Sequence, residues 1–458
     1  MNRSASRREF LRRLGALSGA GVAAPRLANL AALGSAAAQS APDYKALVCV
    51  FLYGGNDYAN TLVAYDAASH GAYQSLRPQL AYARDALAAT ALAPTLPLPD
   101  ARQYALAPEL APLLEVFDAG ELAVLLNVGA LVQPTTKAQY RAGSVRLPPK
   151  LFSHNDQQSF WQSLGAEGAS TGWGGRLADL LVAGSANPVF SCVNVSSNAV
   201  FLTGASAAQY QITSNGPVAL SALAAPLYGS DACSQALRGL LTQPRDEPFT
   251  GELVRVASRA IGANETLSAA LASGPVLQTP FPTGSTLAAQ LQMVARMISV
   301  APALGMKRQV FFVSLGGFDN HDGLTTTHPG LLTAVSQALA AFRAATRELG
   351  VPGAVTTFTA SDFGRTLTGN NDGSDHGWGS HHFVMGGAVA GRRFYGTPPA
   401  LANDGPDDVG QGRLLPTTSV DQLGATLGRW FGVSDADLLT VFPDLANFDP
   451  SARNLGFV

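Results

Sequence analysis

Three segments rich in apolar and β-branched residues constrain the fold of this chain more than any other feature of its sequence. They span residues 46–52, 309–315 and 355–359, and a fourth apolar strand is predicted at residues 122–128. Strands without alternating polar residues are covered on both faces, as in a parallel sheet. Helical patterns occur between and after these strands, at residues 251–272, 287–298, 331–349 and 420–431. This order of strands and helices predicts an α/β fold with a mostly parallel central sheet.

An acidic residue follows each of the three segments, at Asp57, Asp319 and Asp362. The carboxyl ends of parallel strands meet along one edge of the sheet, where ligands bind in open α/β folds. Taken singly, each aspartate is more simply explained as a helix N-cap. Taken together, the three carboxylates predict a binding site at that edge.

The segment 361–382 is rich in groups that bind metal ions. Three of the seven histidines fall within its last seven residues, beside Asp375 and several glycines. Imidazoles and carboxylates are ligands of zinc, manganese and similar ions, and glycines let the backbone fold tightly around them. We therefore predict Asp375, His376 and His382 as candidate metal ligands. The alternative is a solvated turn with capping aspartates, which we favour for Asp372 alone.

Residues 1–40 are typical of a twin-arginine export signal. Arg7 and Arg8 precede a weakly apolar Ala/Gly/Leu stretch, and small residues suited to cleavage follow near residues 36–38. Arg26 interrupts the apolar stretch, so no permanent membrane span is expected. The expected partner is the twin-arginine translocase, and the expected location is periplasmic or secreted. An ordinary basic amphipathic helix is the alternative.

Residues 41–458 are long enough for the single α/β domain that we predict, or for two domains by the usual length of a domain. With 47% hydrophobic and 14% charged residues, the chain can bury a sizeable core. The formal net charge of −2 provides no electrostatic basis for binding nucleic acid, so no such role is expected. The three cysteines have no CxxC spacing, and at most one disulfide, between Cys192 and Cys233, is possible.

Two hydroxyl residues are candidate catalytic nucleophiles. Ser153 opens a predicted helix three residues before Asp156, a pattern that is also typical of an ordinary helix start. The two roles are compatible, because anions bind at helix N-termini. Thr171 lies within residues 168–172, which match the nucleophile-elbow pattern around Ser170 although no strand is predicted before it.

These motifs together resemble an uncharacterised exported bacterial family, domain of unknown function 1501, which is related to the alkaline phosphatase and sulfatase superfamily. The resemblance rests on the leader and on four segments, residues 51–61, 317–321, 362–366 and 375–377. It implies an alkaline-phosphatase-like three-layer sandwich with a mostly parallel central sheet. It also implies divalent metals, zinc, manganese or calcium, at the carboxyl edge of that sheet.

The resemblance further implies roles for individual residues. Arg365 would clamp an anionic ester, and position 363 is Phe where the superfamily usually has His, which predicts at most one tightly held metal. The Cys/Ser-x-Pro-x-Arg signature of sulfatases is absent, so a formylglycine sulfatase is not expected. The implied metal ligands are Asp57, Asp319, His321 and Asp362, with His376 or His382 as the last histidine.

Three functional hypotheses remain at this point. The one that we favour is an exported metal-dependent hydrolase of phosphate or sulfate esters. The second is a non-catalytic protein on the same fold that binds a metal or an envelope partner. The third and weakest is a serine hydrolase that uses Ser170.

Overall fold

The computed structural model describes residues 44–218 and 220–458, so the predicted export signal at residues 1–40 lies outside the described residues. The first described residue, Tyr44, directly precedes a central strand, and its hydroxyl donates to Gln309 Oε1 at 2.7 Å. Within these two ranges, no helix has the length and apolar character that crossing a membrane requires.

A large sheet forms the middle layer of the molecule. Among the described residues, the strands are β1 (Lys45–Leu52), β2 (Leu62–Ala64), β3 (Tyr104–Leu106), β4 (Leu122–Gly129), β5 (Cys192–Asn194), β6 (Tyr210–Gln211), β7 (Arg308–Leu315), β8 (Val355–Ser361), β9 (Arg365–Gly369), β10 (Ser374–His376), β11 (Ser380–Met385), β12 (Arg393–Tyr395) and β13 (Thr418–Ser419). The sheet has the order β12-β4-β11-β8-β1-β7-β5-β6, with β13 paired to β4. Its pairings are parallel except for the two that β11 makes. Outside the sheet, β2 pairs with β3, and β9 pairs with β10 as an antiparallel ribbon.

Helices cover both faces of this sheet. The helices of the described residues are α1 (Ala67–Leu76), α2 (Ala111–Asp118), α3 (Lys137–Ala142), α4 (His154–Ser163), α5 (Trp173–Leu181), α6 (Ser221–Ala224), α7 (Asp231–Thr242), α8 (Pro248–Ser273), α9 (Thr286–Ser299), α10 (Leu324–Glu348), α11 (Val420–Phe431) and α12 (Asp435–Val441). Side chains of α2, α9 and α10 pack on one face, and side chains of α4, α5, α11 and α12 pack on the other.

The position of β1 in the middle of the sheet explains why its sequence is apolar. Alternate side chains point to opposite faces of a strand. Val48 and Val50 therefore enter the core on one face, whereas Cys49 and Phe51 enter the core on the other. Because helices cover both faces, neither set of side chains contacts water, and β1 has no polar face.

The predicted fold class is confirmed: the molecule is a three-layer α/β sandwich with a mostly parallel central sheet. Each apolar segment identified in the sequence forms a strand, and residues 420–431 form α11 as predicted. One local difference is that the glycine-rich segment predicted as a loop contains the ribbon β9-β10. The three cysteines are free, so Cys192 and Cys233 form no disulfide. The single-domain organisation of residues 41–458 stays a prediction.

Candidate metal centre

The candidate centre lies at the carboxyl ends of three adjacent strands, β8, β1 and β7. Because β1 is parallel to both neighbours, the segments that follow the three strands leave the sheet at the same edge. Gly54 follows β1 with a φ of 116°, and a Cβ there would lie 2.4 Å from the backbone nitrogen of Asp319. Its N–H donates to Asp362 Oδ2 at 3.2 Å. Glycine at this position therefore permits the three segments to meet.

Three imidazoles converge on the carboxylate of Asp319. The Nε2 atom of His154 lies 3.4 Å from Asp319 Oδ2. The Nε2 atoms of His321 and His376 lie 3.1 Å and 3.4 Å from Asp319 Oδ1, and 2.9 Å from each other. All three rings therefore present the same nitrogen to one point, although they come from α4, from the segment after β7 and from β10.

The other nitrogen of each ring faces an acceptor. His154 Nδ1 lies 2.6 Å from Asp362 Oδ2, His321 Nδ1 lies 3.1 Å from Asp375 Oδ1, and His376 Nδ1 lies 2.8 Å from the carbonyl oxygen of Phe152. A carbonyl or carboxylate oxygen only accepts, so Nδ1 of each ring is placed to donate, and Nε2 is the nitrogen that could offer its lone pair to a cation. This is the arrangement that orients metal-binding histidines in proteins.

Besides the residue types, the unpartnered buried atoms of the centre also fit a divalent cation. The ligand atoms of His154, Asp319 and His376 all lie within 4.8 Å of one another. His154 Nε2 and Asp362 Oδ1 are buried and make no hydrogen bond among the described residues. A buried polar atom without a partner is costly, and a cation would remove that cost at Nε2. Imidazole and carboxylate ligands suit zinc and manganese.

Burial and nearby charges shift the pKa values of the centre in different directions. Desolvation alone would raise the pKa of Asp319, but the hydrogen bond and charge of Arg365 lower it below its ordinary value. The hydrogen bond to Asp362 raises the pKa of His154, against desolvation. Desolvation lowers the pKa of His376. The side chain of Asp319 is 46% exposed, so the centre is open to solvent on one side.

Phe363 lies beneath two of the imidazoles and contributes no ligand atom. Its ring centroid is 4.8 Å from those of both His154 and His376. A Cβ at Gly55 would lie 2.5 Å from the Phe363 ring, so the ring fills the space under the centre. The imidazole that the sequence lacks at position 363 has a counterpart in His154, which reaches the centre from α4.

Asp57 is engaged by a guanidinium. Arg77 forms a two-pronged ion pair with both of its carboxylate oxygens, with Nη1 at 2.7 Å from Oδ1. The backbone N–H of Asn60 donates to Oδ1 at 3.0 Å, and the Ser374 hydroxyl donates to Oδ2 at 3.0 Å. Arg77 has no solvent exposure. Both oxygens of this predicted metal ligand therefore already have two donors each.

Arg365 is also fully buried, and each of its terminal groups is bound. Its Nη1 donates to Asp319 Oδ1 at 2.6 Å and to the carbonyl oxygen of Gly54 at 2.9 Å. Its Nε and Nη2 both donate to the carbonyl oxygen of Ser374. Arg365 thus joins the segments after β1 and β7 to the ribbon and fixes the position of Asp319. Because Arg365 has no solvent-exposed surface, the geometry does not support the anion-clamp role expected from the sequence.

The two candidate nucleophiles have different surroundings. Ser153 is the N-cap of α4, next to His154, and its hydroxyl donates to Asp156 Oδ2 at 2.8 Å. Thr171 Oγ1 instead accepts from Arg176 at 3.3 Å. Arg176 otherwise donates to carbonyl oxygens outside the centre, so Thr171 belongs to a different part of the fold. Of the two hydroxyls, Ser153 accompanies the centre.

The structure places the remaining predicted residues both inside and outside the centre. Asp375 supports His321, and Asp362 supports His154. His382 lies in β11 with its ring 4.8 Å from that of Trp161, and desolvation lowers its pKa to about 3. His382 points into the core because strand residues alternate between faces, and it is not brought to the centre.

Two residues of the site were missed by sequence reasoning. His154 lies in the segment that was singled out for Ser153, but a helix start explained that segment without a metal. A signal was available, because a histidine in the first turn of a helix near a predicted anion site can itself face a cation. Arg77 had no signal, since nothing in the sequence relates it to Asp57.

The comparisons with known proteins agree with the family resemblance. Residues 255–441 match the family described as "Protein of unknown function (DUF1501)", so the resemblance is confirmed. No curated protein gave a sequence match to this chain.

Several solved structures share similarity over most of the chain. They include Ps i-CgsB in complex with k-i-k-neocarrahexaose, with 10% sequence identity, a TM-score of 0.36, and coverage of 90% of this chain and 77% of that chain. The lipoteichoic acid synthase LtaP from Listeria monocytogenes has 8% identity, a TM-score of 0.33 and coverage of 95% and 81%. The PsFucS1 sulfatase from Pseudoalteromonas sp. has 11% identity, a TM-score of 0.33 and coverage of 94% and 76%. At these TM-scores no activity is inferred from the neighbours. The fold assignment is based on the strand order and the layers of this structure.

Proposed function

We propose, on the premise that this chain carries the DUF1501 domain, that it is an exported hydrolase of phosphate or sulfate esters that uses one divalent cation. The observation that carries this proposal is the convergence of three imidazole Nε2 atoms on Asp319, each ring held by an acceptor at Nδ1. Histidines that are only structural have no common reason to aim the same nitrogen at one carboxylate.

The residues that would hold the cation are His154, Asp319 and His376, with His321 beside them. Three protein ligands with one open side are typical of a catalytic metal rather than a structural one. A bound divalent cation would polarise an ester oxygen and stabilise the negative charge that develops on it. Asp57 is excluded from this set by Arg77, which is why we propose one cation and not two.

The chain's own residues supply orientation and a hydroxyl. Asp362 and the Phe152 carbonyl hold two of the imidazoles, and Arg365 holds the carboxylate. The Ser153 hydroxyl already donates to Asp156, a 3% exposed carboxylate that can accept its proton as the oxygen bonds to the phosphorus or sulfur atom and the bond to the ester oxygen breaks. The leaving alkoxide takes up a proton to depart as the alcohol, and water then hydrolyses the ester on Ser153 and releases the anion. We propose Ser153 as the nucleophile on this ground, and water is the alternative.

The test measures cation content and ester turnover on the same preparation. Protein purified from the periplasm should retain about one zinc or manganese per chain and hydrolyse p-nitrophenyl phosphate or p-nitrophenyl sulfate. A chelator should abolish the turnover, and the added cation should restore it. His154→Ala and His376→Ala should each weaken cation binding by more than about 10- to 100-fold, because they remove a ligand and not only its support.

The matched control for these variants is His70→Gln. His70 is a buried histidine of α1, outside the centre, and its Nε2 faces the carbonyl oxygen of Tyr82. Its substitution should leave cation content unchanged. Wild-type protein that holds no divalent cation, with or without turnover, would refute the proposal.

One observation favours a second candidate, a cation-binding envelope protein without turnover. Arg365, which was expected to be the anion clamp, has no exposed surface. Stoichiometric cation with no turnover of either ester would select this candidate.

A further inference from the structure

The backbone around Arg413 is attached to the strands that flank His376. The carbonyl oxygen of Gly412 accepts from the Leu367 N–H at 2.8 Å, and the carbonyl oxygen of Leu414 accepts from the Gly379 N–H at 2.8 Å. Leu367 belongs to β9 and Gly379 directly precedes β11. The residue between these two anchors is therefore held in a constant position relative to the centre.

The guanidinium of Arg413 contacts the backbone of His376. Its Nε donates to the carbonyl oxygen of His376 at 3.1 Å. Its central carbon lies 4.3 Å from the centroid of the Phe152 ring, a cation–π contact that sets the plane of the group. Phe152 is the residue whose carbonyl oxygen holds His376 Nδ1, so the three groups form one contiguous unit at the margin of the centre.

The two terminal nitrogens of Arg413 are free to bind a ligand. Over the described residues, the side chain of Arg413 makes no ion pair and no hydrogen bond other than the one from Nε. The side chain is half-buried, so these nitrogens are reachable from solvent. Arg77 and Arg365, in contrast, are fully buried and donate to Asp57, Asp319 and backbone carbonyl oxygens.

We propose that Arg413 binds the sulfate or phosphate group of the substrate beside the cation. The inference rests on the proposed function and names the residue that selects an anionic ester over a neutral one. A guanidinium presents parallel N–H donors that match two oxygens of a sulfate or phosphate group. Its orientation by Phe152 and the His376 carbonyl reduces the entropy lost when the anion binds.

The experiment measures binding of inorganic phosphate and inorganic sulfate to the zinc- or manganese-loaded protein by calorimetry. Arg413→Ala should raise the dissociation constant of the anion by about 10- to 100-fold, the usual effect of losing a charged hydrogen bond. Arg413→Gln keeps a donor for the His376 carbonyl but no charge, and should show a similar loss. Arg413→Lys should recover binding in part, since it keeps the charge without the fork.

Cation content separates an anion-binding role from a structural one. None of the three variants should change the amount of bound cation, because Arg413 contributes no ligand atom. The matched control is Arg453→Ala, whose Nε also donates to a backbone carbonyl oxygen but in the C-terminal segment. This control should bind phosphate like the wild type.

The possible outcomes distinguish this inference from the proposed function. If Arg413→Ala and Arg413→Gln bind phosphate and sulfate as the wild type does, or if the cation-loaded wild type binds neither anion, the inference is overturned. Loss of binding in both variants supports it, whether or not esters are hydrolysed. Turnover of p-nitrophenyl esters by the wild type, measured separately, decides the hydrolase proposal.

Discussion

At the scale of single residues, the centre depends on partners that never contact the cation site. Asp362, Asp375 and the Phe152 carbonyl lie at hydrogen-bond distance from Nδ1 of the three imidazoles and so orient the three Nε2 atoms toward Asp319. Arg77 has the opposite effect on Asp57, because it fills both oxygens of a carboxylate that would otherwise be available. The same residue type is therefore a candidate ligand at position 319 and a structural anchor at position 57.

Asp57→Asn is expected to destabilise the protein without removing its cation. The change leaves the guanidinium of Arg77 buried and unpaired, which costs about 3–5 kcal/mol of unfolding free energy. Chemical denaturation should show this loss, whereas metal analysis should show unchanged content. Arg77→Met in the same chain should restore part of the stability, because it removes the unpaired charge.

The pH dependence of stability provides an independent check on Asp57. Desolvation opposes ionisation, but the charge and hydrogen bonds of Arg77 dominate and lower the pKa of Asp57 from 3.8 to about 2. The stabilising effect is therefore complete above about pH 4 and lost as the pH falls toward 2. Asp57→Asn should lose this acid-dependent component, and an acid-unfolding profile identical to that of the wild type would contradict the role assigned to the pair.

The residues that sequence reasoning found and missed differ in a physical way. Asp319 and Asp362 could be predicted because apolar strands mark their position at a sheet edge before any contact is known. Asp57 was predicted by the same rule, but its partner Arg77 is set by tertiary packing. His382 was assigned by proximity in sequence to His376, whereas its direction depends on the register of β11, which only the folded sheet determines.

At the scale of secondary-structure elements, the ribbon β9-β10 and the start of α4 bring the histidines to the sheet edge. The ribbon is held against the segment after β7, where the Ser374 N–H donates to the Asn320 carbonyl oxygen at 3.0 Å. A Cβ at Gly373 would lie 2.2 Å from backbone atoms of His321. Close contact between two backbones at this point therefore sets the distance between His321 and His376.

Gly373→Ala is expected to weaken cation binding by about 10-fold or more, the usual result of disturbing the groups that position metal ligands. The added methyl group must displace either the ribbon or the backbone of His321. Calorimetric titration with zinc or manganese measures the effect. Gly262→Ala is the control, since that glycine lies in α8 with no atom within 4 Å of the added carbon. Equal affinities of the two variants would show that the ribbon does not set the geometry.

Helix α11 contains a buried carboxyl group outside the centre. Asp421 lies in its first turn with no solvent exposure, and neither carboxyl oxygen has a hydrogen-bond partner among the described residues. Desolvation, reinforced by Asp444 and opposed by Arg176, raises the pKa of Asp421 from 3.8 to about 8. Burial therefore favours the neutral, protonated form of this carboxyl group in the folded protein.

Asp421→Asn is expected to stabilise the protein at pH 7 and to flatten its stability profile. Because the folded pKa is raised, stability is greatest below about pH 4 and falls as the pH rises toward 8. Asparagine does not ionise, so its burial carries no pH-dependent cost. The gain in unfolding free energy at pH 7 should be on the order of a few kcal/mol. Thermal unfolding between pH 4 and 8 measures it. Asp435→Asn, at an exposed carboxylate at the start of α12, serves as the control and should keep the wild-type slope.

At the scale of the whole molecule, two apolar cores enclose one sheet, and the centre lies at the edge where neither core extends. The helices that cover the sheet leave the carboxyl ends of β1, β7 and β8 free, so the fold can bury most of its side chains and still expose Asp319. This placement agrees with the general position of ligand sites in open α/β sheets. It could be predicted because it follows from topology and not from individual contacts.

Export stays a prediction about the whole molecule, and Arg7 and Arg8 lie outside the described residues. Replacing both arginines by lysine keeps the charge but removes the paired guanidinium groups that define a twin-arginine signal. We expect the double variant to accumulate as an uncleaved precursor in the cytoplasm, detected by fractionation and immunoblotting. Periplasmic protein at the wild-type level would show that this pair does not direct export.

The position of β1 in the sheet has a consequence for how the molecule forms during synthesis. β1 is the first strand of the described residues, but its two neighbours begin at Arg308 and Val355, more than half the chain later. At about 5–20 residues per second, roughly 15–60 s pass before a ribosome completes β8. During this interval both edges of an entirely apolar strand lack their permanent partners, the condition in which nascent chains aggregate or are held by chaperones. Efficient production of this protein therefore depends on what protects its earliest segment until its latest segments arrive.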